Sequence, residues 1–269
     1  MPLTTGATAP VPAPATARAT VTAPAAVTPT TAAELVRRGH GPAGHYVLSG
    51  PAMDLLRDSQ RLIEPLLRAA SVRRTHLPVL VPPTLVRPVR DLLRPGLRRT
   101  ALTTHDSEQP TGWYATAGLC LRALPLVSKQ RFSWRELPVG FWSGGPAVSP
   151  VIDTATGTDA EDLVCADGLL AGPEGPEGTG LVETVGRVLD ELGVGGGAGP
   201  APEPWALTGE ALVWRHAGRV TASVTSLPTE AAKRYGACYV DAGNRLRPLN
   251  VTFFHIAQFA LLRGTETAR

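Results

Sequence analysis

Hydrophobic residues recur at helical spacing in two stretches of the chain. After Pro51, which suits a helix start, they predict an amphipathic helix that Pro65 is expected to kink. The stretch LVETVGRVLDELG predicts a second helix ending at Gly193, a residue type favoured just after a helix. The apolar positions of these two helices are Ala52, Leu55, Leu56, Ile63, Leu66 and Leu67, and then Leu181, Val185, Val188, Leu189 and Leu192.

Shorter apolar or alternating runs predict strands. HLPVLVPP (76–83) and LPVGFWSG (137–144) each suit a strand, a helix is expected over 85–93, and GWYATAGLCLRALPLV (112–127) suits a strand entering a short helix. In the last third, ALVWR, GRVTASVT, YGACYVD and NVTFFH suit antiparallel strands, and IAQFALL suits a terminal helix. Helices early and hairpin-like strands later predict an α+β fold, an antiparallel sheet flanked by helices.

Composition divides the 269 residues into a tail and a domain. Residues 1–31 are almost wholly Ala, Thr and Pro, which lack the apolar groups needed to offset chain entropy, so a disordered tail is expected. Residues 32–269 are expected to form a single domain. Within it, the Gly/Pro-rich stretch 193–204 is expected to be a flexible connector.

The overall composition favours a soluble protein. Hydrophobic residues make up 43% of the chain without any apolar run near the length of a membrane span, so no membrane partner is expected. With three Cys and no secretory leader pattern, a secreted disulfide scaffold is disfavoured and a cytoplasmic protein is expected.

The net charge of +3 hides an uneven distribution. Between Arg37 and Arg99 there are twelve Arg and four acids, whereas between Asp153 and Glu203 there are eleven acids and one Arg. The basic segment could face phosphates or an acidic protein, or both segments could be solvated helix faces. Aromatic residues do not interleave the Arg cluster, as a single-strand nucleic-acid platform would require.

Common catalytic motifs are absent from the sequence. No GxGxxG, GxxxxGK[ST], GxSxG or HExxH occurs, which removes the usual sequence grounds for a Rossmann site, a P-loop, an α/β-hydrolase or a zincin. The six His are scattered, and Cys120, Cys165 and Cys238 lie far apart. An isolated Cys is by default a small buried hydrophobic residue.

The order of elements resembles one family. A helix, a strand running into prolines (HLPVLVPP), the segment YATAGLCLRALPLV and a strand after LP (ELPVGFW) follow one another as at the start of a class II aminoacyl-tRNA synthetase core. Within that family the chain is most similar to the seryl-tRNA-synthetase branch and its truncated relatives, the amino acid:[carrier protein] ligases. The resemblance covers roughly residues 44–151 and, more faintly, 205–262.

The resemblance implies ATP-dependent activation of a small amino acid to an aminoacyl adenylate, with Mg²⁺, and transfer to a carrier protein. The carrier would be acidic, which suits the Arg-rich first half. A homodimer formed through residues 53–83 is implied as well. Because the carrier-protein ligases lack a tRNA-binding arm, tRNA is not an expected partner.

The resemblance also implies a zinc ion that grips the amino group of the amino acid. In the carrier-protein ligases two Cys and a Glu hold this ion. Cys120 stands where the first Cys would be, Cys238 could be the second, and Glu161 is the nearest carboxylate candidate. Two thiolates and a carboxylate that leave one position open suit Zn²⁺.

Two family landmarks are missing from this sequence. The family neutralises the α-phosphate with an Arg in an Arg-x-Glu motif after the LP strand, but residues 143–150 contain no cation. The family also carries a second Arg near the C-terminus, for which Arg263 is the candidate in this sequence. Arg131 and Arg135 could take the place of the missing Arg of the Arg-x-Glu motif from another direction. Losing such a preorganised charge typically costs about 10²-fold or more in rate.

Three functional hypotheses follow from the sequence. The first is an adenylate-forming ligase that loads an amino acid onto a carrier protein. The second is a degenerate, non-catalytic paralogue of the same fold that acts as a binding or partner subunit, as the loss of both Arg landmarks suggests. The third is a nucleic-acid-binding protein that uses the basic segment.

Overall fold

The structure is a computed structural model with four α-helices in its described part. It describes residues 36–38, 46–48, 50–78, 80–89, 91–92, 101–103, 112–115, 120–149, 161–175, 178–202, 209–216 and 219–257. The α-helices are α1 (Gly50–Ala69), α2 (Pro83–Val86), α3 (Leu181–Glu191) and α4 (Thr229–Arg234). Three 3₁₀ helices span Arg87–Val89, Cys120–Leu126 and Trp134–Glu136.

Seven of the fifteen described strands build one large sheet. Its order is β10 (Ala198–Pro202), β11 (Glu210–His216), β12 (Arg219–Ser226), β15 (Asn250–Ala257), β9 (Glu161–Gly172), β8 (Val139–Ser149) and β3 (Val72–Arg74). All neighbours are antiparallel except the edge pair β3 and β8, which is parallel. The α+β prediction, an antiparallel sheet flanked by helices, is confirmed.

Three smaller sheets complete the described strands. They are the pair β1 (Val36–Arg38) with β2 (Tyr46–Leu48), the order β4 (Leu80–Val81), β6 (Gly112–Ala115), β5 (Ala101–Thr103), and the order β14 (Leu246–Pro248), β13 (Cys238–Val240), β7 (Arg131–Ser133). The last of these is called the small sheet below. Its strands β13 and β14 are antiparallel, and β13 and β7 are parallel.

One face of the large sheet packs against α1 and α3. Helix α1 contributes Ile63 and Leu67 to this cluster, and α3 contributes an apolar stripe at helical spacing. The sheet meets them with Trp142, Phe254 and Ile256, among other residues, all at most 1% exposed. The helix residues buried here are among the apolar positions from which the two helices were predicted. Helix α3 ends as expected, with Gly193 in the left-handed region at φ 73°.

The opposite face is covered by the 3₁₀ helix Cys120–Leu126 and by α4. Leu121 and Leu124 of the 3₁₀ helix join Leu169 and Phe253 of the sheet in a second buried cluster. The sheet is therefore buried on both faces. This opposite face is called the inner face below, because it carries the candidate site.

Several sequence predictions differ from the structure in extent. Helix α1 is continuous across Pro65, and the helix expected at 85–93 is only one short turn followed by a 3₁₀ turn, because Pro88 lacks the N–H that would extend it. Within the predicted connector, residues 198–202 form β10 and pair with β11. Of the predicted terminal helix, Ile256 and Ala257 belong to β15, and the rest lies outside the described residues, as does the predicted tail.

Gly168 fixes how closely two central strands pack. It lies across from Phe254 in the pairing of β9 with β15, and a Cβ at this position would overlap the Phe254 ring and the Phe141 carbonyl oxygen. Glycine is required here because the ring occupies the space of a side chain.

Replacing Gly168 by Ala is expected to lower the free energy of unfolding by about 1–3 kcal/mol, because the new methyl group overpacks the core. Urea denaturation measures this change. Gly145→Ala in the neighbouring strand is the matched control, since no atom lies within 4 Å of its added Cβ. Equal stability of the two variants would contradict the proposed overlap.

The turn between β13 and β14 is organised by one carboxylate. Asp241 accepts hydrogen bonds from the backbone N–H groups of Gly243 and Arg245, both at 2.9 Å, and from the Nε atoms of Arg245 and Arg247 at 3.1 and 3.2 Å. These bonds lower the pKa of Asp241 to about 2, with the backbone N–H of Arg245 as the largest cause. The turn also places Asn244 at φ 59°.

Protonation of Asp241 is expected to open this turn only in strong acid. An unperturbed Asp titrates near pH 3.9 or so, and its folded pKa is lower, so the stabilisation is complete above about pH 5 and is lost as pH falls toward 2. In an NMR titration of the native protein, the amide signals of Gly243 and Arg245 should shift with a midpoint at this low pKa. In Asp241→Asn the same signals should not shift as the pH falls. A midpoint near 4 would contradict the assignment.

Candidate functional site

A row of polar side chains crosses the inner face of the large sheet. The cross-strand register places Ser143 beside Asp167, Asp167 beside His255, and His255 beside Ser223. All four side chains are buried, with at most 5% of each residue exposed. Because cross-strand neighbours point to the same face, the four form one continuous polar row over four strands.

A buried ion pair anchors the middle of this row. Arg122 reaches down from the 3₁₀ helix Cys120–Leu126 and donates to both carboxylate oxygens of Asp167, from Nη2 at 2.5 Å and from Nε at 3.3 Å. The side chains of Arg122 and Asp167 are 3% and 0% exposed. Burying two charges is tolerated only when they are paired in good geometry, as this two-point contact provides.

Thr221 adds an unsatisfied hydroxyl close to Ser223 of the polar row. It lies two residues before Ser223 on β12, at the bulge where Trp214 pairs with Ala222 and Arg215 pairs with Val220. Thr221 is 2% exposed, and its Oγ1 has no hydrogen-bond partner among the described residues. A buried hydroxyl without a partner is costly, which points to a ligand or water at this position.

An apolar row runs beside the polar one. Two residues away from the polar row on each strand, Phe141 pairs with Leu169, and Leu169 pairs with Phe253. These side chains pack against the 3₁₀ helix, including Leu121 and Leu124. The inner face thus carries an apolar row and, two residues further along each strand, a polar row.

The three predicted zinc ligands lie in different elements. Cys120 begins the 3₁₀ helix, Glu161 begins β9, and the side chains of both lie outside the described part. Cys238 lies in the small sheet, where its half-buried Sγ donates to the Gln130 carbonyl oxygen at 3.7 Å. Among the described side chains, no group of three His, Cys, Asp or Glu could hold a metal. The zinc site stays a prediction.

The described substitute cations suggested by the sequence belong to elements other than the strands of the polar row. Arg131 belongs to β7 of the small sheet, and Arg135 to the 3₁₀ turn that follows it; both are exposed. Arg263 lies outside the described residues. Among the described residues, Arg122 is the Arg that contacts the row through Asp167, and no pattern in the sequence singled it out.

Ion pairs account for several Arg of the basic segment. On α1, Arg57 pairs with Asp54 at 2.9 Å, and Arg61 pairs with Asp58 at the same distance. Arg68 and Arg74 share Glu64, at 2.7 and 3.3 Å. Such exposed ion pairs are typical of a solvated helix face. They favour the solvated-face interpretation of the basic segment over a binding role.

The sequence itself contained an indication of part of the polar row. Asp167 and His255 each interrupt an apolar strand, in VCADGLLAG and VTFFHIA, and a single charged or titratable residue inside such a strand marks a candidate site. Arg122 gave no comparable signal, because its partner lies 45 residues away. Only the strand register brings these residues together.

Comparison with known proteins supports the fold. No protein-family model matches the chain, and no curated protein matches it. Among solved structures, Giardia lamblia prolyl-tRNA synthetase, determined in complex with prolyl-adenylate, is similar with a TM-score of 0.70 at 15% sequence identity. The match covers 88% of this chain and 51% of the synthetase chain, so this chain spans about half the length of that protein. The chain has a class II synthetase-like fold.

This synthetase-like fold confirms the general resemblance, whereas the seryl branch and the carrier-protein ligases stay expectations. No helix in the described part is both long and apolar enough to cross a membrane.

Breaking the buried ion pair is expected to destabilise the synthetase-like domain strongly. Arg122→Met removes the two-point contact with the buried Asp167 carboxylate and should lower the free energy of unfolding by about 3–5 kcal/mol. Asp54→Asn, which breaks an exposed pair on α1, should cost less than about 0.5 kcal/mol. Urea denaturation of both variants measures the difference.

The double variant Arg122→Met, Asp167→Val should recover part of the loss, since it removes both charges of the buried pair. Strictly additive effects of the two single substitutions would show that the two side chains do not act as a pair.

Proposed function

We propose that this chain is a non-catalytic synthetase-fold protein that binds a small amino acid on the polar row. The supporting observation is the buried row itself, with the Arg122–Asp167 pair at its centre and the unsatisfied hydroxyl of Thr221 nearby. An amino acid is a zwitterion. Its ammonium and carboxylate groups complement an ion pair without leaving net charge buried.

The charge balance of the row favours such a ligand over a polyphosphate. Arg122 is matched by Asp167, so the pair contributes no net positive charge toward an anionic ligand. Transfer at the α-phosphate requires preorganised cations, and Arg131 and Arg135 lie on the small sheet or beside it. Binding of the amino acid is therefore better supported than its activation.

A second candidate is ATP-dependent activation of the amino acid with Mg²⁺, followed by transfer to an acidic carrier protein. The fold favours it, because the similar synthetase was solved with prolyl-adenylate bound. This candidate includes a homodimer and a zinc ion held by Cys120, Glu161 and Cys238. Arg263 would then supply the missing charge near the C-terminus.

Calorimetric titration with the proteinogenic amino acids, in the absence of ATP, tests the first proposal. Binding of a small amino acid is expected, and Thr221→Val should weaken it about tenfold by removing one hydrogen-bonding group. Thr252→Val is the matched control, because Thr252 is equally buried in β15 but lies on the helix-covered face. An equal loss of affinity for the amino acid in both variants would indicate a structural effect instead of a lost ligand contact.

ATP–pyrophosphate exchange, with magnesium and zinc present, separates the two candidates. The first predicts no amino acid-dependent exchange from folded protein that binds the amino acid. Exchange that depends on one amino acid would establish adenylate formation and favour the second. Neither binding nor exchange with any amino acid would overturn both.

A further inference from the structure

The outer face of the small sheet combines apolar and polar residues, which are exposed on β7 and β14 and half-buried on β13. Register pairs Arg131 with Cys238 and Cys238 with Pro248, and in the next row on this face it pairs Ser133 with Val240 and Val240 with Leu246. The intervening residues Phe132 and Tyr239 pack against the core, so these two rows point away from it. This surface is called the outer patch below, and it includes the adjoining Trp134.

Two large side chains of the outer patch are unusually accessible. Leu246 is 57% exposed and Trp134 is 47% exposed. Scattered apolar residues on a surface are ordinary, but here Leu246 pairs with Val240 on the small sheet. Trp134 directly follows Ser133, which pairs with Val240 from the other side. Trp is also enriched among the residues that anchor protein–protein interfaces.

The rim of the outer patch is positively charged. Arg131 and Arg135 have no carboxylate partner within the described part, and the Arg135 guanidinium lies 5.4 Å from the Trp134 ring centre. The nearby acids are already engaged. Glu136 accepts from the Ser133 backbone N–H at 2.6 Å, and Asp241 is held by two Arg of the turn.

We propose that the outer patch binds an acidic segment of another protein, with an apolar side chain of that segment seated on Leu246 and Val240. Charge complementarity selects the partner, because Arg131 and Arg135 are cations beside an apolar centre. The residues that define the patch are far fewer than the roughly 20–30 per partner of a stable interface, so the complex is expected to be transient.

A protein partner fits better than single-stranded nucleic acid. Nucleic-acid platforms stack successive bases on several aromatic side chains. On the outer patch Trp134 is the one aromatic side chain among the described residues, and Arg135 already lies over its ring. The other residues of the two rows carry no aromatic ring on which a further base could stack.

Fluorescence anisotropy with a labelled probe peptide tests the proposal. The probe is an alternating Glu-Leu peptide of about ten residues, which is long enough to cross the patch. Binding with a Kd on the order of 10–100 µM at low salt is expected, weakening as salt rises. Arg131→Gln with Arg135→Gln should weaken it about tenfold or more, and Leu246→Ser should also weaken it while keeping the salt dependence.

The control is Arg57→Gln with Arg61→Gln, which removes the same charge from α1 and should leave the Kd unchanged. Equal weakening by both double variants would reduce the effect to overall charge and overturn the proposal. Tighter binding of an oligothymidine, lost in the same patch variants, would assign the patch to nucleic acid. Self-association in ultracentrifugation that Leu246→Ser abolishes would assign it to a second copy of this chain.

Cys238 provides an independent readout from within the patch. Its thiol is half-buried in the row that joins Arg131 and Pro248. Saturating peptide should slow its alkylation by iodoacetamide, measured for the Cys238 peptide by mass spectrometry. An unchanged rate at saturation would show that the peptide binds elsewhere. Circular dichroism of each variant distinguishes loss of binding from loss of fold.

Discussion

Burial of the large sheet on both faces is the constraint on which the rest of the structure depends. Seven of the eight residues of β15 are buried, and they point alternately to the helices and to the inner face. A strand in this position has no solvated side, so any polar residue within it needs a partner inside the protein. Asp167 on the adjacent β9 meets this requirement through Arg122.

The two faces are coupled through strand register. Gly168 lets the Phe254 ring approach β9 on the helix side, and their neighbours Asp167 and His255 are paired on the inner side. A slip of one residue would turn Asp167 toward the helices and Phe254 away from them. Packing of the apolar face therefore aligns the polar row, and the site inherits its geometry from the core.

Much of the fold could be predicted from the sequence. Helix α3 was predictable because its apolar stripe is buried, and β12 was predictable because its residues alternate. Residues 198–202 were predicted as flexible because Gly and Pro dominate them, yet they form an edge strand, where proline is tolerated. Local composition does not reveal pairing with a strand that comes later in the chain.

The candidate site was less predictable, since its members are distant in sequence and ordinary in type. Asp167 was one of eleven acids in a segment where Glu183, Asp190 and Glu191 are exposed on or beside α3. Burial distinguishes it from the others, and burial follows from the register. By contrast, a resemblance in element order was enough to predict the synthetase-like fold, because the sheet and its helices follow that order.

Fold and catalysis are separable in such a protein for a physical reason. The sheet is held by buried apolar side chains on two faces, to which a phosphate-binding Arg at the edge of a site contributes little packing. Such an Arg can be lost without loss of the fold, whereas Arg122 is retained by its buried partner whether or not any reaction takes place. The polar row can therefore persist in a protein of this fold that has lost a phosphate-binding Arg. For this reason the row is more informative about ligand binding than the fold alone.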